Sequence, residues 1–140
     1  MKVLFDTNIL LDVLLGREPH VEVASRLFSL VDNGRIQGSI CATAVTTTYY
    51  MTAKGLGSKR ARDQVRTLLS IFEVAPVDGG VLQRALDGGL KDFEDAVAYE
   101  AAHAAGASAI VTSDRSDFTK ATMPVFDPHE LLAAIALRKD

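Results

Sequence analysis

The chain has 140 residues, 48% of them hydrophobic, with 15 basic and 18 acidic residues and a net charge of −3. That length and apolar content read as one domain over residues 1–140, with a proper core, and exclude a disordered chain. The slight acidic surplus does not advertise nucleic-acid binding, though the mean conceals clustering, and no apolar run reaches the roughly 18 residues of a membrane helix.

Lys2-Val3-Leu4-Phe5 is apolar without polar alternation, the pattern of a fully buried strand. The chain enters this strand at once, with no basic-then-apolar leader region. Asp6 follows at the strand's carboxyl end, the rim where open parallel sheets bind ligands. Asp6 is equally suited to cap the helix that begins near Asn8. Ile9-Leu10-Leu11 and Val13-Leu14-Leu15 predict that helix, ended by Gly16, with Asp12 facing solvent. Arg17 to His20 is a turn that puts Pro19 in the first turn of a second helix. Val21, Ala24, Leu27, Phe28 and Val31 recur at helical spacing until Asn33-Gly34.

Ile36 to Ala42 predicts a second strand. It holds Cys41, the only cysteine, so an internal disulfide is excluded and a reduced, cytoplasmic setting is expected. Thr43 suits the cap of a third helix through Met51, which carries an unusual Thr46-Thr47-Thr48 run of mediocre helix formers. Its Tyr49, Tyr50 and Met51 read as core packing. Gly55-Leu56-Gly57 breaks the chain, and Ser58 caps a fourth helix with Ala61, Val65, Leu68 and Leu69 inside. Phe72 to Val77 is a third strand, with Pro76 marking its end or edge. Asp78 caps a short helix that Gly88-Gly89 ends.

Lys91-Asp92-Phe93-Glu94-Asp95 then leads into an alanine-rich helix stopped by Gly106. Ala109 to Thr112 is another buried strand, also ending in an acid, Asp114, with Asp117 in the next turn. Pro124 to Phe126 is a last short strand. Asp127 or Pro128 opens a final helix through Leu137. Strands alternate with helices throughout. The expected fold is therefore three-layer α/β/α, with a central, mostly parallel sheet of about four to five strands.

Two buried strands thus end in carboxylates, and Asp95 and Asp117 lie in adjoining segments. If the strands are neighbours, these groups converge. Two like charges about 4 Å apart repel by roughly 4 kcal/mol at an effective dielectric near 20. Such a cluster takes up protons or needs a cation, and hard oxygen ligands select Mg²⁺ or Mn²⁺. A plainer alternative makes these acids scattered caps and turn residues, which suits Asp92 well. His20, His103 and His129 share no ligand spacing and read as surface or capping residues.

Asp6-Thr7-Asn8 after a first strand, Asp92-Phe93-Glu94-Asp95 opening an alanine-rich helix, and Thr112-Ser113-Asp114 with Asp117-Phe118 after a late strand resemble the PIN domain. The likeness covers the chain in order and is strongest to the toxin-like, VapC-like branch. It implies a Mg²⁺- or Mn²⁺-dependent endoribonuclease, often the toxin of a toxin–antitoxin pair and often a homodimer. Position by position it implies metal-site roles for Asp6, Asp95, Asp114 and Asp117, with Asn8 and Thr112 as the polar neighbours and Asp92 in support. Lys54, Lys59, Arg60 and Arg62, in a basic run between Lys54 and Arg66, are candidates for RNA backbone contacts.

One departure from the pattern concerns the third helix, where the family usually carries an acid. This chain has Ala44-Val45-Thr46-Thr47-Thr48 there, and Thr47 is the best match, with Thr46 or Thr48 as alternatives. A hydroxyl replaces an anionic ligand poorly. The rival expectation is therefore a degenerate PIN domain that binds RNA or a protein partner without cutting. A phosphotransfer reading with a nucleophilic Asp6 fits less well, because Asn8 stands where an Asp-x-Asp phosphatase needs its second acid.

Overall fold

The computed structural model describes residues 1–138. Five strands form one sheet in the order β3-β2-β1-β4-β5, and every neighbouring pair is parallel. The strands are β1 (Lys2–Phe5), β2 (Gln37–Cys41), β3 (Glu73–Ala75), β4 (Ala109–Val111) and β5 (Val125–Phe126). Between them run α1 (Thr7–Leu14), α2 (Val21–Asp32), α3 (Ala42–Leu56), α4 (Ser58–Ile71), α5 (Gly79–Asp87), α6 (Phe93–Ala104) and α7 (Pro128–Ala136), with a 3₁₀ turn at Arg115–Phe118. This is the expected three-layer α/β/α arrangement. Among the described residues no helix is long and apolar enough to cross a membrane.

β1 is the middle strand, and its Val3, Leu4 and Phe5 are fully buried, which explains its unbroken apolar run. It pairs with β2 on one side and β4 on the other, with Leu4 opposite both Ser39 and Ile110. Phe5 joins Phe28 of α2 and Phe72 in an edge-to-face cluster with ring centroids 5.0 to 6.1 Å apart. α2 packs against α1, α4 and α7, and α5 packs against α6. Alanines 96, 98, 101 and 102 of α6 are buried, so this helix can lie close to the sheet.

Several local expectations are corrected. Asp12 does not face solvent: it is 4% exposed, and Arg17 Nε meets its carboxylate at 2.9 Å. The ion pair lets a charge sit in that buried position. Pro19 precedes α2 rather than lying in it, since His20 is the N-cap. Cys41 and Gly57, not Thr43 and Ser58, are the residues flanking α3 and α4. The core reading of Tyr50 and Met51 fails, because they are 63% and 41% exposed while Ala44, Thr48 and Thr52 take the buried stripe of α3. Leu69 is also exposed, leaving Leu68 to face inward. The third strand stops at Ala75, one residue before Pro76.

Gly38 of β2 permits the closest packing in this layer. A Cβ there would stand 2.7 Å from Cδ1 of Phe72 and 2.8 Å from Cγ1 of Val31. Both neighbours belong to the core, so neither can swing away freely. Gly38→Ala is expected to destabilise the fold by about 1–3 kcal/mol through overpacking, read as a lower urea midpoint at unchanged slope.

Candidate functional site

Asp6 extends the ladder past β1: its N–H donates to Val111 O at 3.0 Å. Its side chain then caps α1, with Oδ1 accepting from Thr7 N at 2.9 Å. Oδ2 accepts from Thr112 Oγ1 at 2.8 Å and from Asn8 Nδ2 at 3.2 Å. Asp6 therefore acts as a helix cap and is also a buried carboxylate, 8% exposed. Burial pushes its carboxyl above the ordinary aspartate value. The bonds from Thr112 and Thr7 pull it back, and Asp117 and Asp92 push it up again.

Thr112 links the ends of β1 and β4. Its hydroxyl accepts from Asp114 N at 3.2 Å and lies 3.4 Å from Asn8 Nδ2. Asn8 Oδ1 in turn accepts from Ser113 N at 3.2 Å. The polar neighbours expected from sequence, Asn8 and Thr112, thus form one network with Asp6.

Asp95 comes from the first turn of α6. Asp92 caps that helix by accepting from Asp95 N at 2.9 Å, so it lies outside the helix and not on a shared helical face with Asp95. Asp95 is half-buried, and its carboxyl is pushed from 3.8 up to about 7, first by burial and then by Asp6, Asp92, Asp117 and Glu94. Asp117 lies in the 3₁₀ turn and is raised by desolvation, then by Asp114 and Asp92. Glu94 is raised by desolvation, Asp92 and Asp6. Residues distant in sequence therefore share one electrostatic neighbourhood: Asp6, Asp92, Glu94, Asp95 and Asp117.

Asp114 is more peripheral. It is exposed, and its Oδ1 caps the 3₁₀ turn, accepting from Ser116 N at 3.1 Å and from the Ser116 hydroxyl. Its charge acts on Asp117 but is not among those that raise Asp6 or Asp95. Thr47 is half-buried on α3. Thr46 donates to Thr43 O at 2.9 Å, and the buried Thr48 hydroxyl has no partner among the described residues. Lys54 and Arg62 lie over the rings of Tyr50 and Tyr49, at 5.6 and 5.7 Å. Lys59 and Arg60 are exposed on α4. Glu94 is the member of the group that sequence reasoning misses; its place one residue before Asp95 in a first turn is the available signal.

Among the described residues, no three His, Cys, Asp or Glu side chains stand close enough to hold a metal ion as placed. The donor chemistry does fit a hard divalent cation. The groups are all carboxylates, they repel one another, and no basic group is among the causes that shift them.

The PIN domain family model matches residues 2–116. The chain belongs to the PIN domain family. Ribonuclease VapC1 of Aquifex aeolicus is 23% identical over 123 residues, covering 84% of this chain and 85% of that protein. A toxin–antitoxin complex from Klebsiella pneumoniae contains a chain 24% identical, with a TM-score of 0.68 over 91% of this chain and 98% of that one. VapC20 of Mycobacterium tuberculosis, a toxin that cleaves the sarcin-ricin loop, superposes with a TM-score of 0.68 at 13% identity, over 82% of this chain and 92% of that one. At these identities the structural likeness is one of PIN fold.

The Asp95 shift has a sign that can be tested. A carboxyl raised in the folded state contributes most stability below its unfolded value of 3.8, and that contribution is lost as pH climbs through about 7. Asp95→Asn removes the loss. In thermal melts with EDTA, the variant is expected to gain on the parent chain as pH rises from about 4, with the gain levelling off above about 7.

Proposed function

We propose that residues 1–140 act as one PIN domain and cut RNA with the help of Mg²⁺ or Mn²⁺, as the toxin of a toxin–antitoxin pair working in the cytoplasm, with a homodimer as its assembly. The observation that carries this reading is that Asp6, bonded across the sheet to Thr112, shares one neighbourhood with Asp92, Asp95 and Asp117 from other segments, and that these acids raise one another with no basic group among the causes. A structural network of acids gains nothing from such repulsion, whereas a site that receives a dication does. The ribonuclease and toxin–antitoxin relatives support the same reading.

In this reading Asp6, Asp95 and Asp117 hold the cation, and Asp114 joins directly or through water. The chemistry such a cation supplies is Lewis-acid stabilisation of phosphoryl oxygens and a lowered pKa for an attacking water. Asp6 is a rigid ligand, because Thr7, Asn8 and Thr112 donate to its two oxygens. A site carboxylate takes the proton from the attacking water as its oxygen adds to phosphorus in line. The bond from phosphorus to the leaving ribose oxygen breaks as the new one forms, and that oxygen departs as an alcohol by taking a proton from solvent.

A second reading, RNA or protein binding without cleavage, is favoured by one observation: α3 brings no carboxylate, and Thr47 stands where the family's acid is expected. Mn²⁺ titration separates the two. For the nuclease, Mn²⁺ at about 100 times its dissociation constant stabilises the chain by about 2.7 kcal/mol in thermal melts. Asp6→Asn abolishes both that gain and RNA cleavage. Thr112→Val, which removes a donor to Asp6, lowers metal affinity or activity by about 10- to 100-fold. RNA binding with neither a Mn²⁺-induced shift nor cleavage would establish the second reading.

A further inference from the structure

A cleft of about 460 Å³ opens beside the carboxylates, and its wall is mixed in charge: Lys91 and Lys120 line it together with Asp92, Ser116 and Asp117. Neither lysine forms an ion pair or hydrogen bond among the described residues. Nor is either among the charges that shift Asp6, Glu94, Asp95 or Asp117. Two ammonium groups thus share a cleft with Asp92 and Asp117 and are paired with neither. The turn at Gly88-Gly89 helps to shape it. Gly89 has φ +87°, and a Cβ there would lie 3.5 Å from Cδ and 3.6 Å from Nζ of Lys120, so the lysine stem lies against bare backbone.

Several other cations of the described residues are engaged elsewhere. Lys2, Arg17, Arg66, Arg84 and Arg115 are paired with carboxylates. Lys54 lies at the far end of α3, where Gly55 approaches Leu15, while Arg62 of α4 stacks over Tyr49. Leu15 is at the end of α1 away from Asp6, about 13 Å along the helix axis. A strand held by Lys54 would have to cross about that distance to reach the carboxylates.

We propose that Lys91 and Lys120 hold the phosphates flanking the scissile bond, so that RNA passes through this cleft beside Asp92 and Asp117. The inference rests on the ribonuclease reading and deepens it by naming where the strand lies. A polyanion approaching a carboxylate cluster is repelled, and two unpaired ammonium groups at its margin offset that repulsion. Lysine suits the task, since it meets phosphate as a point charge with three donors and needs no fixed plane.

The test is fluorescence anisotropy with a labelled single-stranded oligouridylate, in EDTA so that nothing is cut, across a salt series. Lys91→Ala/Lys120→Ala is expected to bind more weakly. Its slope of log affinity against log salt should be shallower by about 0.7 for each phosphate that is no longer neutralised. Lys91→Arg/Lys120→Arg restores the slope, and all three proteins melt alike by circular dichroism. With Mn²⁺ present, the alanine pair raises KM for cleavage and leaves kcat in place. An unchanged slope in the alanine pair, or weaker binding seen only in Lys54→Ala/Lys59→Ala, overturns the cleft and leaves the ribonuclease reading standing. Parent protein that neither binds nor cuts RNA overturns both.

Discussion

The buried Asp6 carboxylate is the constraint on which the rest of the site depends. A charge at the end of the central strand is costly, because water cannot reach it well. Three donors offset part of that cost, from Thr7, Asn8 and Thr112. Two come from the turn into α1 and one from the end of β4, so the site exists only if β1 and β4 are in register. A slip of one residue would turn Thr112 to the other face of the sheet. The bond from Asp6 N to Val111 O carries the pairing one step past the strand end. The buried apolar runs of β1 and β4 therefore do more than fill the core: they aim a carboxylate and a hydroxyl at one another.

The second acid arrives by a different route. α6 presents Asp95 in its first turn, where a helix N-terminus favours negative charge by about 0.3–1 kcal/mol. That is smaller than the repulsion between close carboxylates, roughly 4 kcal/mol at 4 Å and an effective dielectric near 20. The balance is visible in the outcome, since Asp95 is pushed up to about 7 despite its position in the helix. Asp92 contributes on both sides. Its carboxylate caps α6 and so fixes where Asp95 sits, yet its charge also raises Asp6, Glu94, Asp95 and Asp117.

Much of this is legible in the sequence, for definite reasons. Unbroken apolar runs at Val3 to Phe5 and Ala109–Val111 mark buried parallel strands, and the alternation with helices gives the layering. Asp78 and Asp127 are readable as caps because the following turns suit them, and each accepts from the backbone N–H three residues on. What cannot be read is pairing at a distance. Asp12 looks like a solvent-facing polar residue until Arg17 folds back onto it. Tyr50 and Met51 look like core until Thr48 and Thr52 take the inward face. The convergence of Asp6 with Asp95 needs strand order, which no local pattern carries. Asp114 looks equivalent to Asp6 because both end a buried strand, but one is buried and bonded across the sheet while the other is exposed and caps its own turn.

The threonine run of α3 bears on how strongly this site can act. α3 leaves the sheet at the carboxyl end of β2, beside that of β1. Thr48 faces the core with a hydroxyl that has no partner among the described residues, so the run is not explained by packing alone; valine would fill the same space without a buried donor. If the start of α3 faces the carboxylates, an acid in this run would add one more charge beside Asp95, already pushed up to about 7. It would strengthen the grip on a dication and at the same time raise the cost of the metal-free fold. A neutral residue reverses both effects. On the metal-dependent reading proposed above, a threonine there makes for weaker metal binding and a more stable metal-free state.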